Sequence, residues 1–120
     1  MCSSDLYFFD KIQKITNTKF ELDRVYANGQ TYGLPGSYHT DSDADGVNIF
    51  KTFLYYVNPY WNYQWGGGTF FYLGDENHHQ LFTPNCGILF DSTLMHVGLE
   101  PTRHCKELRT TIAFKMRIIK

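Results

Sequence analysis

The chain has 120 residues, a formal net charge of −1 and a hydrophobic fraction of 42%, which are ordinary values for one globular domain. A net charge so close to zero provides no basic field for nucleic acid, and no apolar run approaches the roughly 20 residues of a membrane helix. Aromatic residues make up 18% of the chain, which favours β structure because large rings suit half-buried pleated surfaces. We therefore expect one domain over residues 1–120, with neither nucleic acid nor a membrane as a partner.

The cysteines indicate a reducing environment. Cys2, Cys86 and Cys105 are odd in number and form no C-x-x-C pair, which argues against a disulfide framework. The N-terminus also lacks the basic segment of a signal peptide, so we expect a cytoplasmic protein. Cys86 adjoins an apolar run and is predicted to be a small core residue, whereas Cys105 follows His104 and leaves a zinc-binding pair open.

The predicted elements are one helix followed by strands. A capping sequence at residues 3–5 precedes apolar residues at helical spacing, which predicts a short N-terminal helix ending near Asn17. The segment GDENHH, residues 74–79, is predicted to be a turn. Turn residues at intervals of about 8–12 positions indicate an all-β sandwich or barrel. The strands are predicted over residues 20–26, 47–57, 69–73, 79–84, 86–92, 95–100 and 108–119.

The polar stretch YHTDSDADG, residues 38–46, contains two overlapping metal-binding patterns. Counted from Asp41, it matches the opening of a calcium-binding EF-hand loop, but the twelfth position, which requires a bidentate glutamate, is Thr52. The segment that follows is also predicted to be a strand rather than a helix, so calcium is disfavoured. His39 and Asp41 instead form an H-x-D pair, and side chains two positions apart share one face of an extended backbone.

The H-x-D pair supplies two of the three ligands of a facial triad, in which two histidines and one carboxylate bind iron(II) and leave other coordination positions open. The third ligand must come from a distant strand. His96 follows an apolar strand and a short turn, which would return it to the mouth of a barrel, whereas His78 and His79 are predicted to be exposed. We therefore predict His39, Asp41 and His96 as the metal ligands and the catalytic residues.

The order of the motifs resembles the iron(II)- and 2-oxoglutarate-dependent dioxygenases, and among them the prolyl 4-hydroxylase-like branch. H-x-D is followed by FLYYVN, GGGTFFY, PNCGILFDSTLMHVG and LRTTIAF, so that the resemblance runs from about Val25 to Phe114. It implies a double-stranded β-helix, a jelly roll or cupin-like barrel that opens onto the metal. It also implies a hydroxylase that uses iron(II), with 2-oxoglutarate and O₂ as co-substrates and ascorbate as a further candidate cofactor.

The same resemblance implies how the far carboxylate of 2-oxoglutarate is bound. Arg109 and Thr111 match the R-x-S/T pair of the family, in which the guanidinium forms the salt bridge and the hydroxyl donates a hydrogen bond. The loop between His96 and Arg109 is longer than is usual in the family. Lys106, and less so Arg103, therefore remain as alternative anchors.

Other positions are implied to surround the co-substrate. By resemblance, the Tyr56 hydroxyl bonds the same carboxylate, provided that strand alternation turns Tyr56 rather than Tyr55 inward. Phe70 in GGGTFFY is implied to form a wall of the 2-oxoglutarate pocket. Either Tyr26 or Tyr32 is expected to line the iron side.

Several expectations concern the substrate and the limits of the domain. The substrate is expected to be a peptide or a small molecule, with a prolyl residue or an amino acid suggested by the family. Aromatic residues in the loop 58–68, including Trp61 and Trp65, form either a satellite core or a lid over the substrate. The short segment before H-x-D suggests an N-terminally truncated domain with an exposed sheet edge, which would allow a homodimer. The alternative function is a non-catalytic, cupin-like jelly roll that binds a metal or ligand.

Overall fold

A computed structural model describes residues 3–42 and 49–119 of the chain. In this part of the chain, one short helix precedes seven strands, so the predicted all-β class with an N-terminal helix is confirmed. Asp43 and Asp45, which belong to the calcium hypothesis, lie outside the described residues. The elements are α1 (Ser3–Thr16), β1 (Phe20–Gln30), β2 (Phe50–Tyr56), β3 (Thr69–Leu73), β4 (Glu76–Gln80), β5 (Gly87–Asp91), β6 (His96–Gly98) and β7 (Arg109–Ile118).

The strands form two antiparallel sheets. The larger sheet has the order β1-β7-β2-β5 and the smaller one the order β4-β3-β6. β7 lies inside the larger sheet, paired along its length with β1 and β2. A backbone bridge between His39 and His96 continues the smaller sheet beyond β6. The two sheets enclose a cavity between them, which is the predicted jelly-roll architecture.

The two faces of β7 have different roles because successive side chains of a strand point in opposite directions. Phe114 and Met116 face α1 and form a core with Ile12 and Phe20, in which Phe114 is 0% exposed. The alternate residues of β7 line the cavity instead, and they are Arg109, Thr111, Ala113 and Lys115. The apolar face therefore packs the helix against the sheet, and the opposite face lines the cavity.

The segment from residue 74 to residue 84 differs from the prediction. Only Gly74 and Asp75 form a turn, since Glu76–Gln80 is strand β4, paired with β3, and no strand continues to residue 84. β4 is an edge strand whose side chains are exposed or half-buried, so its sequence shows no alternation of apolar and polar residues. Backbone pairing with β3 therefore determines its structure. His78 and His79 are exposed, as predicted.

The cysteine predictions have different outcomes. Cys86 is exposed, so its prediction as a core residue is wrong. Cys86 follows the turn residue Asn85, whose φ is 60°, and lies immediately before β5 rather than within the strand. Among the described residues, no third metal ligand joins His104 and Cys105. None of the described helices is long and apolar enough to cross a bilayer.

Candidate metal centre and cavity

His39, Asp41 and His96 meet at one end of the space between the two sheets. One ligand atom from each residue can be chosen so that all three lie within 4.8 Å of one another, which is within the reach of a single ion. The two histidines are held side by side by backbone hydrogen bonds, in which each N–H donates to the other carbonyl at 3.0 and 2.9 Å. The sheet therefore brings together the residues of the H-x-D pair and the distal histidine.

Both imidazole rings are oriented by backbone carbonyls. His39 Nδ1 lies 2.7 Å from the Ser37 carbonyl, and His96 Nδ1 lies 2.8 Å from the Leu94 carbonyl. When Nδ1 carries the proton and donates it to a carbonyl, the lone pair of Nε2 is free, which is the form in which imidazole binds a metal. The Nε2 atoms of His39 and His96 lie 3.3 and 3.5 Å from the Asp41 carboxylate oxygens. This donor set fits a divalent metal such as iron(II).

The Asp41 carboxylate is buried and extensively hydrogen-bonded. Its side chain is 3% exposed, and Lys115 Nζ lies 2.5 Å from Oδ2. Thr52 Oγ1 also donates to Oδ2 at 2.8 Å, and it lies 2.9 Å from the hydroxyl of Ser92. Burial raises the pKa of the Asp41 carboxyl, but the hydrogen bond and charge of Lys115, with His96 and Thr52, outweigh burial and lower the pKa below its usual value. Asp41 is therefore a carboxylate at neutral pH.

His96 lies in an apolar setting. It is 6% exposed, and its ring centroid lies 5.8 Å from that of Phe71 and 4.8 Å from that of Phe90. Burial lowers the pKa of His96, and the hydrogen bond to the Leu94 carbonyl and the charge of Asp41 oppose this shift only in part. A lowered pKa keeps the imidazole neutral at physiological pH, as a metal ligand requires.

A cavity of about 440 Å³ extends from the triad between the two sheets. This volume suits a small-molecule ligand. Polar and apolar side chains from both sheets contribute to its wall. Besides the triad, the lining includes Thr52, Leu54, Thr69, Arg109, Thr111 and Lys115.

Arg109 is a buried cation in this cavity. It is 2% exposed, and its Nη1 donates to Gln30 Oε1 at 2.7 Å. Nη2 donates to the Gly68 carbonyl at 3.3 Å and to Thr69 Oγ1 at 3.4 Å, and Nε donates to the Gly67 carbonyl. Burial lowers the pKa of Arg109 to about 10, so the guanidinium is still charged at neutral pH. Among the described residues, its hydrogen-bond partners are all neutral, which leaves its charge available to an anion.

Tyr56 and Thr111 lie beside Arg109. Tyr56 is fully buried, and its hydroxyl lies 2.7 Å from Thr69 Oγ1. Tyr55 lies on the face of the sheet that packs against α1, where its ring contacts Phe8. Tyr56, the next residue along the strand, therefore points to the opposite face, as predicted. Burial raises the pKa of Tyr56, which keeps its hydroxyl protonated. Thr111 is 2% exposed and lines the cavity.

Phe70 does not line the cavity, and that prediction is wrong. Alternation along β3 buries Thr69 and Phe71 and turns Phe70 to the other face of the smaller sheet. There its ring centroid lies 5.0 Å from that of Tyr72 and 6.4 Å from that of His79. Thr69 occupies the cavity wall instead.

The positions of the side chains distinguish between the candidate anchors, and between the candidate tyrosines, that the sequence left open. Of the three candidate anchors, Arg109 lies in the cavity, whereas Lys106 and Arg103 are exposed in the loop that precedes β7. Similarly, Tyr26 lines the cavity, whereas Tyr32 is 61% exposed and does not.

The aromatic loop 58–68 packs against the protein. Trp61 is 9% exposed and belongs to a core cluster with Tyr56 and Phe82. Its ring stacks on Phe82 with centroids 4.1 Å apart, and its Nε1 donates to the Gly66 carbonyl at 2.8 Å. Of the two alternatives for this loop, the position of Trp61 favours the satellite core.

Sequence reasoning missed Gln30 and Lys115. Gln30 accepts from Arg109 and donates from Nε2 to the Leu34 and Gly98 carbonyls, each at 3.1 Å, so it fixes the guanidinium to the cavity wall. Lys115 shares a strand face with Arg109, and this alternation was a pattern that could have identified it.

The fold is similar to those of two solved prolyl hydroxylases. A prolyl-4-hydroxylase from Pseudomonas putida matches with a TM-score of 0.74 and 19% identity, covering 98% of this chain and 68% of that one. A prolyl hydroxylase from Trichoplax adhaerens, solved in complex with a hypoxia inducible factor oxygen degradation domain peptide fragment, matches with a TM-score of 0.75 and 19% identity. That match covers 97% of this chain and 57% of the other, so this chain spans little more than half of its length. No protein-family model and no curated protein matches the sequence.

Proposed function

We propose that this chain is an iron(II)-dependent oxygenase domain that couples the oxidative decarboxylation of 2-oxoglutarate to the hydroxylation of a substrate. The observation that carries the proposal is a single cavity that contains both the His39-Asp41-His96 triad and the buried cation Arg109. The similarity of the fold to two prolyl hydroxylases supports it.

The metal would be held by Nε2 of His39, Nε2 of His96 and the carboxylate of Asp41. Iron(II), when bound, supplies the reaction with O₂ that amino-acid side chains cannot perform. The protein contributes a neutral imidazole at His96 and an ionised carboxylate at Asp41, both of which line the cavity. Three protein ligands leave room for a chelating co-substrate and O₂ on the same ion.

Arg109 would bind the far carboxylate of 2-oxoglutarate. Its planar guanidinium matches a carboxylate, and its charge has no acidic partner among the described residues. The Thr111 hydroxyl lines the cavity and can donate to the anion. Tyr56 does not line the cavity, and its hydroxyl would act through Thr69, whose Oγ1 lies 2.7 Å away and which does line it. Because these groups are buried, their interactions with the anion are stronger than they would be in water.

Hydroxylation is the outcome that Asp41 favours. Related halogenases lack this carboxylate, which leaves room for chloride, so a chain with Asp41 in place resembles the hydroxylases. A prolyl residue in a peptide is the first substrate to test, because one structural neighbour is bound to a peptide fragment. Free amino acids form the second class.

The test is a screen for succinate release from 2-oxoglutarate in the presence of iron(II), O₂ and ascorbate, against panels of proline-containing peptides and free amino acids. We expect succinate from the wild-type protein, with a hydroxylated product for at least one substrate. Asp41→Ala should release none, whereas Asp75→Ala, at an exposed turn, should match the wild type. Succinate at the Asp41→Ala level with every substrate would contradict the proposal and favour a non-catalytic jelly roll.

A further inference from the structure

Lys115 is a second buried cation in the cavity, and it contacts the carboxylate of the candidate metal centre. Its side chain is 10% exposed, and its Nζ lies 2.5 Å from Asp41 Oδ2. The strand position is fixed from both sides, because Lys115 is paired with Arg24 of β1 and Thr52 of β2. Its ammonium group also lies 5.4 Å from the centre of the Tyr26 ring. The backbone of Lys115 is therefore fixed by strand pairing on both sides, and its side chain contacts Asp41 from within the cavity rather than from the protein surface.

The two oxygens of Asp41 have different surroundings. Oδ2 accepts hydrogen bonds from both Lys115 and Thr52, and it lies 3.5 Å from His96 Nε2. Oδ1 lies 3.3 Å from His39 Nε2, and no bond from Lys115 or Thr52 reaches it. The lone pairs of Oδ1 are therefore the ones left for a metal, while Oδ2 is used to hold the carboxylate.

We propose that Lys115 is a positioning residue that serves as the internal counter-ion of Asp41. It holds the carboxylate in place when no metal is bound, and a metal ion must compete with it for the negative charge. The inference rests on the proposed metal site. It adds that Lys115 keeps the site formed when no metal is bound, and that the same contact lowers the affinity of the site for a metal ion.

The expected sign of the effect follows from the charge of the residue. Groups that hydrogen-bond to metal ligands usually raise metal affinity, because most of them are neutral or acidic and increase the basicity of the ligand. Lys115 is a cation, so it withdraws charge from Asp41 and repels a divalent ion at short range. Its removal would also leave Asp41 as a buried carboxylate without a cation, which destabilises the metal-free protein. Both effects make binding of a metal more favourable.

The experiment compares Lys115→Met with the wild type by two measurements on the purified protein. The first is the melting temperature without metal, and the second is the affinity for Mn²⁺, a redox-stable divalent ion, by calorimetry. We expect Lys115→Met to melt at a lower temperature and to bind Mn²⁺ at least about tenfold more tightly, within the range that groups around metal ligands usually produce. Lys115→Arg, which restores the cation, should return both values toward the wild type.

Lys51 provides a control for the loss of a lysine–aspartate ion pair, because it pairs with Asp91 across β2 and β5, in a more exposed position outside the cavity. Lys51→Met should leave the Mn²⁺ affinity unchanged. If Lys115→Met does not fold, Lys115→Gln, which keeps a hydrogen-bond donor without the charge, takes its place with the same expected increase in affinity.

The possible failures are distinguishable. A lower melting temperature with equal or weaker Mn²⁺ binding in the Lys115 variants would mean that Lys115 only stabilises the fold, and it would overturn this inference alone. Mn²⁺ binding that is unchanged in His39→Ala would mean that the ion does not bind at the triad, and it would overturn the proposed function together with the inference.

Discussion

Arg109 and Lys115 project from the same face of β7 into one cavity, but of the two only Lys115 has an acidic partner among residues 3–42 and 49–119. Lys115 forms an ion pair with Asp41, whereas Arg109 donates to carbonyl, amide and hydroxyl oxygens. One strand therefore supplies a cation to the candidate metal centre and another cation, without a counter-ion among the described residues, to the part of the cavity beside Tyr56. This difference in partners is the basis for assigning the anionic co-substrate to Arg109.

Thr69, rather than Phe70, is expected to affect binding of 2-oxoglutarate. Its hydroxyl contacts both the Tyr56 hydroxyl and Arg109 Nη2. Thr69→Val keeps the shape but removes this partner, which should cost about 1–3 kcal/mol at a buried hydrogen bond and weaken 2-oxoglutarate binding by about tenfold. Calorimetry with the Mn²⁺-loaded protein measures the effect. Phe70→Leu should bind as the wild type does, and a larger loss in Phe70→Leu than in Thr69→Val would restore Phe70 to the pocket wall.

Trp61 is expected to contribute to stability rather than to substrate coupling. It stacks on Phe82 and is 9% exposed, so Trp61→Ala should lower the free energy of unfolding by about 3–5 kcal/mol, as measured by urea denaturation. In the same loop, Tyr63 is 82% exposed, and Tyr63→Ala should change the free energy of unfolding by less than about 0.5 kcal/mol. If Trp61→Ala left stability unchanged but raised the ratio of succinate to hydroxylated product, the loop would act as a lid.

Phe114 is expected to be the residue on which docking of α1 most depends. It is 0% exposed and packs with Ile12 of the helix on the face of β7 opposite the cavity. Phe114→Ala should lower the free energy of unfolding by about 3–5 kcal/mol because of the cavity it leaves. Mn²⁺ affinity of the folded fraction should not change, since the side chain does not face the triad. A selective loss of Mn²⁺ affinity with normal stability would show that the two faces of β7 are coupled.

The residues of the triad could be predicted from the sequence because each is marked by its local setting. His39 and Asp41 form a short motif, and His96 follows an apolar strand and a turn. Gln30 carries no such mark, and alternation along β7 indicates only that Lys115 shares a face with Arg109. Their contacts with Asp41 and Arg109 depend on the pairing register of β7 with its neighbours, which a single sequence does not specify.

The wrong predictions for Phe70 and for the segment that forms β4 have a similar physical origin. Resemblance identified the GGGTFFY strand, but whether Thr69 or Phe70 faces the cavity depends on one residue of alternation. β4 was predicted as a turn because an exposed edge strand has no apolar face to pattern its sequence. Its pairing with β3 is a tertiary contact, and tertiary contacts override local preference.

The central claim is that one cavity binds a metal at the triad and an anionic co-substrate at Arg109. Calorimetric titration of 2-oxoglutarate tests it most directly, using the Mn²⁺-loaded wild type, Arg109→Met, Lys106→Met and the metal-free protein. We predict that Arg109→Met weakens binding at least about a hundredfold, because a buried carboxylate loses its charge partner. We also predict that omission of the metal weakens binding strongly and that Lys106→Met, at an exposed position, has no effect. Equal binding by Arg109→Met and the wild type, or binding that does not depend on the metal, would contradict the account.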